Sequence, residues 1–554
     1  MNSTVFFRIP IAISLIVAGT LTFDVGSIPR KPVLEEFPGS EYAVSLKSKF
    51  VTSDNIQFDV LDEFCDYGVF APYFREYLRL YMTAQKPERK NYHSWQAQQF
   101  YDDSLRWATD PLYGWCNRNF KSNGKPYNIY TDGLKIYTTI DSRMQAYLED
   151  AVHEHIVGKL QDKFFKEKMR VVTAPYCGIT PDEFNRTMAR SMKMTDRYRI
   201  MHRNGCSQHE IERAFNTKCK MKVFTYQGMK DTVMTPMDSI RYYKHFLRVG
   251  AMSIDPHSGE VKAYVGGTNY HSFKYDMVST SRRQVGSTIT PFLYSLAMEH
   301  GFAPCDEVLN VEQTLYDDFG RAWTPRNSSR NKYGEMVSLC WGLLQSNNWI
   351  SAFLMKQFGP HKLKQLIHRY GLTDQNIEAT PSLCLGACDA SVLEMVSAYT
   401  AFAGEGMRVA PLMVTCIEDN AGNVIMTFKA RKNKVISRES SYKMIDMMRG
   451  VINEGTGRRI RSLYKITADM CGKTATTQNL SDGWFIGFTP SLVTGCWVGG
   501  EERDIHFERV GDGQGTATAL PVYGLYMQKV YADESLPYSE KEMFNIPDGF
   551  NPCE

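Results

Sequence analysis

Apolar and polar positions change period several times along this chain, and each change marks an element. Residues 134–140 (Leu-Lys-Ile-Tyr-Thr-Thr-Ile) alternate and are rich in β-formers, which predicts a strand. Asp141 then caps a long helix running from Ser142 toward Lys168. Upstream, Ala71 and Pro72 open a helix with Tyr73, Tyr77 and Leu78 on one side, and residues 45–60 alternate weakly enough to predict short strands. Residues 252–256 and 261–265 flank the turn His257-Ser258-Gly259-Glu260 as a hairpin. Helical periods follow at 291–300, 350–358 and 391–403, then strand-like stretches at 468–476, 483–488 and 492–498. A strand pair, a helical middle and a final set of strands predict an α+β fold, an antiparallel sheet flanked by helices.

Two segments stand outside that pattern. Residues 9–23 are apolar, diluted by Pro10, Ser14, Thr20 and Thr22. A run of about fifteen residues is short for a spanning helix, and Thr-Leu-Thr-Phe-Asp after it is a poor cleavage site. We read an uncleaved anchor in a cytoplasmic membrane with the main body outside the cytoplasm; a buried helix is the alternative. Residues 169–245 are rich in Lys, Arg and Met and predict an inserted surface lobe of short helices, with no chemistry assigned.

Composition narrows the classes. A chain of 554 residues suggests two or three domains. A formal net charge of +3 and the lack of any basic run give no reason to expect a nucleic-acid partner. The thirteen cysteines are scattered, and Cys384 and Cys388 lack the companions of a zinc site, so buried thiols with a few disulfides are expected and no metal.

Three separated strings carry the chemistry: Gly286-Ser287-Thr288-Ile289-Thr290-Pro291, Ser346-Asn347-Asn348 and Gly472-Lys473-Thr474-Ala475-Thr476-Thr477. A serine at a helix start gains from the positive end of the dipole, which favours charge developing on its oxygen. In order and separation the strings resemble the SxxK, SxN and KTG motifs of penicillin-binding transpeptidases, and the chain from about Ala71 onward resembles the class A members. The resemblance implies the penicillin-recognising serine-transpeptidase fold, with Ser287 as nucleophile and Ser346 relaying a proton to the leaving amine. It implies that Asn348 donates to the substrate amide carbonyl and that Lys473 and Thr474 hold the substrate carboxylate. Thr476 would give an oxyanion N–H, with Ala475 and Thr477 beside it. No cofactor is implied.

Two positions depart from the motifs. Thr290 stands where the family has its lysine base, and a hydroxyl cannot hold the serine proton at useful cost. Ala475 stands where the family has a glycine that lets substrate backbone approach. Only about 45 residues separate Phe23 from Phe70, so the resemblance also implies a missing glycosyltransferase domain, as if excised near Val60. The expected organisation is an anchor at 1–24, a pedestal at 25–130, a linker strand-helix and lobe at 131–248, and a transpeptidase-like domain at 249–554. Two functions stand open. One is a serine acyl-transfer protein of peptidoglycan synthesis, acting on stem peptides and β-lactams with weakened or lost turnover and with Lys473 acting through Ser346 as substitute base. The other is a non-catalytic stem-peptide binder or scaffold for a complete cell-wall synthase.

Overall fold

The computed structural model describes residues 47–60 and 70–554; the apolar run at 9–23, the expected anchor, lies outside them. No helix among the described residues is long and apolar enough to cross a membrane.

The larger sheet positions the site. Its strand order is Cys471–Thr476, Asp482–Phe488, Val493–Gly499, Arg248–Ile254 and Val261–Val265, each antiparallel to its neighbour. Every residue of Asp482–Phe488 and Val493–Gly499 is buried. Alternate side chains enter two different clusters: Val249 and Ala251 pack with the helices Ser142–Val152 and Leu520–Ala532, whereas Met252 and Ile254 pack with Val392–Ala403 and Arg438–Asn453. A sheet covered on both faces needs apolar residues at both parities, which is why these strands read as runs rather than as alternation. The Cys471–Thr476 strand has a sheet neighbour on one side only, so its other edge is left for the site.

A second five-stranded sheet has the order Val424–Thr427, Val414–Glu418, Lys135–Thr138, Lys49–Val51 and Gln57–Asp59. Lys49–Val51 runs parallel to Lys135–Thr138. The weak alternation at 45–60 thus forms two three-residue strands. Asp141 caps the helix as expected, its Oδ1 accepting from the backbone N–H of Arg143 at 3.0 Å and Met144 at 3.2 Å. That helix continues through a π-helical stretch, His153–Leu160, to Lys168.

The lobe contains the helices Pro181–Lys193, Asp196–Arg203 and Gln208–Asn216, and it also contains an antiparallel hairpin, Cys219–Thr225 with Gly228–Met234. The expectation of helices alone is corrected there. Gly228, at φ 117°, takes a backbone conformation open to glycine and closes the turn.

Cys305 and Cys553 form a disulfide across 248 residues, while Cys384 and Cys388 are buried free thiols. No group of His, Cys, Asp and Glu side chains among the described residues is placed to hold a metal ion.

An ionic cluster ties the lobe to the sheet. Lys244 Nζ lies 3.0 Å from Glu501 Oε1, and Arg248 Nη2 lies 2.7 Å from Glu501 Oε2. Burial pushes the Glu501 carboxyl up, but the two cations outweigh it and hold the group at about 2. Its folded value is therefore below the unfolded one of about 4.3. The stability it contributes is complete above the unfolded value and is lost as pH falls through the folded one. Thermal midpoints measured from pH 6 down to pH ~2 are expected to fall, and Glu501→Gln to flatten that part of the curve.

Candidate active site

Ser287 sits in a 3-10 turn, Gly286–Ile289, that runs directly into the helix Thr290–Glu299. Nine of that helix's ten residues are buried, so it is apolar all round and lies inside the domain. The turn is pinned from several sides. Val285 N–H donates to Cys388 O at 3.0 Å, Tyr399 Oη to Thr288 O at 2.6 Å, and Trp484 Nε1 to Gln284 O at 2.9 Å. Gly286 has φ 53° and is approached so closely by Gly386 that a Cβ on Gly386 would stand 2.1 Å from Gly286 O. Both positions therefore require glycine.

Ser287 is half-buried, and its Oγ makes no hydrogen bond to another described residue. Thr290, only 2% exposed, donates from Oγ1 to Ser287 O at 2.8 Å, the back-bond a threonine makes in a first helical turn. Its hydroxyl is thus directed to the backbone carbonyl of the residue whose side chain the family's lysine would serve.

Ser346 occupies the left-handed region at φ 53°. Asn347 follows as a helix cap, its Oδ1 accepting from Trp349 N–H at 2.9 Å and Ile350 N–H at 3.2 Å. Asn348 donates from Nδ2 to Arg326 O at 2.7 Å, so in this structure its amide is held by the 325–327 segment.

Lys473 is fully buried and donates from Nζ to Ser346 Oγ at 2.9 Å and to Thr474 O at 3.0 Å. Burial pushes its ammonium down to about 7. The structure therefore brings Ser346 and Lys473 together as an amine–hydroxyl pair.

The rest of the strand sorts by parity. Thr474 Oγ1 donates to Thr456 Oγ1 at 2.7 Å, and Gly515 N–H donates to Thr476 Oγ1 at 2.9 Å; sequence reasoning missed Thr456, which has no motif around it. Just past the ladder, which ends at Thr476 and Gly483, Thr477 N–H donates to Asp482 O at 3.2 Å. By antiparallel alternation the Thr476 N–H then points away from that neighbour, to the unpaired edge. Thr477 Oγ1 accepts from Asp482 N–H at 3.0 Å and lies 3.1 Å from Ser481 Oγ, so this hydroxyl is enclosed in its own turn. Ala475 is 3% exposed and faces the nucleophile turn: a methyl built on Gly286 would lie 3.3 Å from the Ala475 methyl.

Beneath the site, Asp482 is fully buried and accepts from Arg283 Nε at 2.8 Å and Trp497 Nε1 at 3.0 Å through Oδ1, and from Ser481 Oγ at 2.6 Å through Oδ2. Arg283 leads into the Ser287 turn, so this ion pair couples the sheet to the nucleophile.

Residues 249–495 match the penicillin binding protein transpeptidase domain, and residues 172–247 match the penicillin-binding protein middle domain. Penicillin-binding protein 1A of Aquifex aeolicus is 27% identical over 419 residues, 72% of this chain and 54% of the relative. The protein of that name from Neisseria meningitidis serogroup A is 32% identical over 289 residues, 51% of this chain and 36% of the relative. The chain thus spans little more than half of the first and about a third of the second. A crystal structure of penicillin-binding protein 1A from Haemophilus influenzae aligns with a TM-score of 0.57 at 18% identity, covering 89% of this chain and 93% of that one. The D,D-transpeptidase domain of a peptidoglycan glycosyltransferase from Eggerthella lenta aligns with a TM-score of 0.50 at 14% identity, covering 89% and 100%. These two alignments establish a shared fold: the α+β arrangement of an antiparallel sheet between helices.

Proposed function

The chain belongs to the penicillin-binding proteins through its transpeptidase domain, with homology to the class A protein 1A, and on that premise we propose that it is a slow serine acyl-transfer protein of peptidoglycan synthesis. Ser287 attacks the carbonyl of a D-Ala–D-Ala stem peptide or the ring of a β-lactam and forms an acyl-enzyme. The N–H groups of Ser287 and Thr476 supply donors for the oxyanion. Lys473 and Thr474 attract the substrate carboxylate. With Thr290 closed on a backbone carbonyl, the proton of Ser287 passes toward the Ser346–Lys473 pair. The observation that carries this reading is the buried Lys473 amine 2.9 Å from Ser346 Oγ, with no basic side chain among the described residues hydrogen-bonded to Ser287 itself.

Incubation with a fluorescent penicillin, followed by intact mass, tests it. A single adduct is expected, forming slowly and absent from Ser287→Ala. A labelled Ser287→Ala protein would refute the assignment of the nucleophile. The pH dependence tests the base. An amine whose ammonium is pushed down to about 7 is neutral above that value, so the labelling rate is expected to rise as pH increases through about 7. Lys473→Met should abolish that rise.

One observation favours a second reading, a cleft that holds stem peptide without turning it over and regulates a complete synthase. The Ala475 methyl fills the space beside Gly286 where the family's glycine leaves room. Under that reading, penicillin leaves the mass unchanged while a stem peptide still binds and raises the thermal midpoint. Attachment to the cytoplasmic membrane through residues 9–23, with the domains on its outer side, is part of the proposal. Association with carbonate-washed membranes, lost on deleting residues 1–24, is its test.

A further inference from the structure

Away from the cleft, the lobe and the sheet meet around a lysine and a thiol. The Lys168 side chain is wholly buried, and its Nζ lies 2.9 Å from Cys177 Sγ, 3.0 Å from Glu508 Oε1 and 3.1 Å from Glu167 Oε1. Cys177 Sγ also lies 3.0 Å from His506 O. The two chain segments are held in place by the bridge between Tyr176 and Ile505, by Cys177 N–H donating to Asp504 O at 2.7 Å, and by Glu508 N–H donating to Glu167 Oε1 at 2.9 Å.

This thiol differs from seven other free thiols among the described residues. Burial pushes Cys116, Cys340, Cys384, Cys388, Cys416, Cys471 and Cys496 up, away from the reactive thiolate. At Cys177 burial acts in the same direction, but His506 and Lys168 outweigh it and hold the thiol below its ordinary value. Cys177 is 7% exposed, which admits a small oxidant and excludes a bulky thiol or protein partner.

We propose that Cys177 and Lys168 are a modification site in which a peroxide converts the pair into a covalent sulfur–nitrogen link. The Cys177 thiolate attacks one peroxide oxygen; an S–O bond forms, the O–O bond breaks, and hydroxide leaves. Sulfur is oxidised by two electrons, and the peroxide is reduced. The Lys168 ammonium gives up one proton toward the neighbouring carboxylates, and the freed lone pair attacks sulfur. The N–S bond forms, the S–O bond breaks, and the second amine proton leaves. Thiolate, ammonium and hydrogen peroxide become a neutral sulfenamide and two waters. The linkage would fasten residue 168 to residue 177 at the start of the lobe and take away the ammonium that pairs with Glu508, beside the segment that leads to Gly515 and its hydrogen bond to Thr476 in the cleft.

The full chain treated with hydrogen peroxide and then mapped by proteolysis and mass spectrometry decides the matter. The expected product is a joined pair of peptides, one bearing Lys168 and one bearing Cys177, two hydrogens lighter than their sum and separated again by dithiothreitol. It should be absent from Cys177→Ser and from Lys168→Met, where any oxidised sulfur is found as sulfenic or sulfinic acid and never joined to another peptide. Should Lys168→Met fail to fold, the wild-type map and Cys177→Ser suffice. A wild-type Cys177 that stays unmodified, or that accumulates sulfinic acid with no joined peptide, would overturn the proposal.

Discussion

Replacing Thr290 with lysine is expected to raise the rate of penicillin labelling at Ser287 by about 10²–10⁴, the usual worth of a positioned general base. The position is suited to it. Thr290 follows Ser287 by three residues at the start of a buried helix, so a longer side chain there passes over the serine. Among the described residues its hydroxyl makes only the back-bond to Ser287 O, so little is lost when it goes. The new amine would enter a cleft that already contains Lys473, held down to about 7 by burial alone. Two amines sharing one dry site repel each other's protons, so one is neutral at working pH and takes the serine proton. Ala475→Gly added to this change should give a smaller further gain by clearing the space beside Gly286. If the double variant labels no faster than the natural chain, the account of slow chemistry through these two residues is wrong.

Asp482→Ala is expected to be the most damaging single change to stability, losing about 3–5 kcal/mol, because it leaves a buried cation without its partner. Arg283 has a side-chain exposure of 9% and Asp482 of 0%, so solvent does not take over the lost pairing. Trp497 Nε1 loses its acceptor as well, while Ser481 Oγ keeps Asn479 Oδ1 at 2.9 Å. A thermal melt or urea titration reads the loss, and Asp482→Asn, which keeps an acceptor in place, should lose less. Burial pushes the Asp482 carboxyl up, but Arg283 and Ser481 outweigh it and hold the group below the usual carboxylate range. Its contribution is therefore present above the unfolded value of about 3.9 and disappears as pH falls through the folded one. Because Arg283 leads into the nucleophile turn, labelling should weaken along with stability; a variant that melts early yet labels at the natural rate would show that the pair supports the sheet alone.

Much of this was legible in the chain because local signals and tertiary demands agree. Asp141 reads as a cap and is one; the alternation at 134–140 becomes the strand Lys135–Thr138; the hairpin around Gly259 pairs as its pattern requires. The hairpin Cys219–Thr225 with Gly228–Met234 was lost among lysines and methionines, which are good helix formers, although Cys219-Lys220-Met221-Lys222-Val223 alternates. The chemistry divides in the same way. Ser287, Ser346 and Lys473 were visible as motif letters. That Thr290 folds its hydroxyl back on Ser287 O, that Asn348 is held by Arg326 O, and that Thr477 is enclosed in its turn depend on side-chain torsions that no spacing encodes. Thr456 escaped notice because no motif surrounds it, and the Arg283–Asp482 pair because its members are 199 residues apart.

The sheet ends at Cys471–Thr476, and an unfinished sheet invites completion. A guest that lies alongside in extended form is gripped first through its main chain, by groups every amino acid shares, so affinity there is indifferent to side-chain identity. The same invitation extended to another protein molecule would seed aggregation. Here the nucleophile turn packs beside the rim, so close that a methyl on Gly286 would lie 3.3 Å from the Ala475 methyl, and it stands in the way of a second protein's long strand.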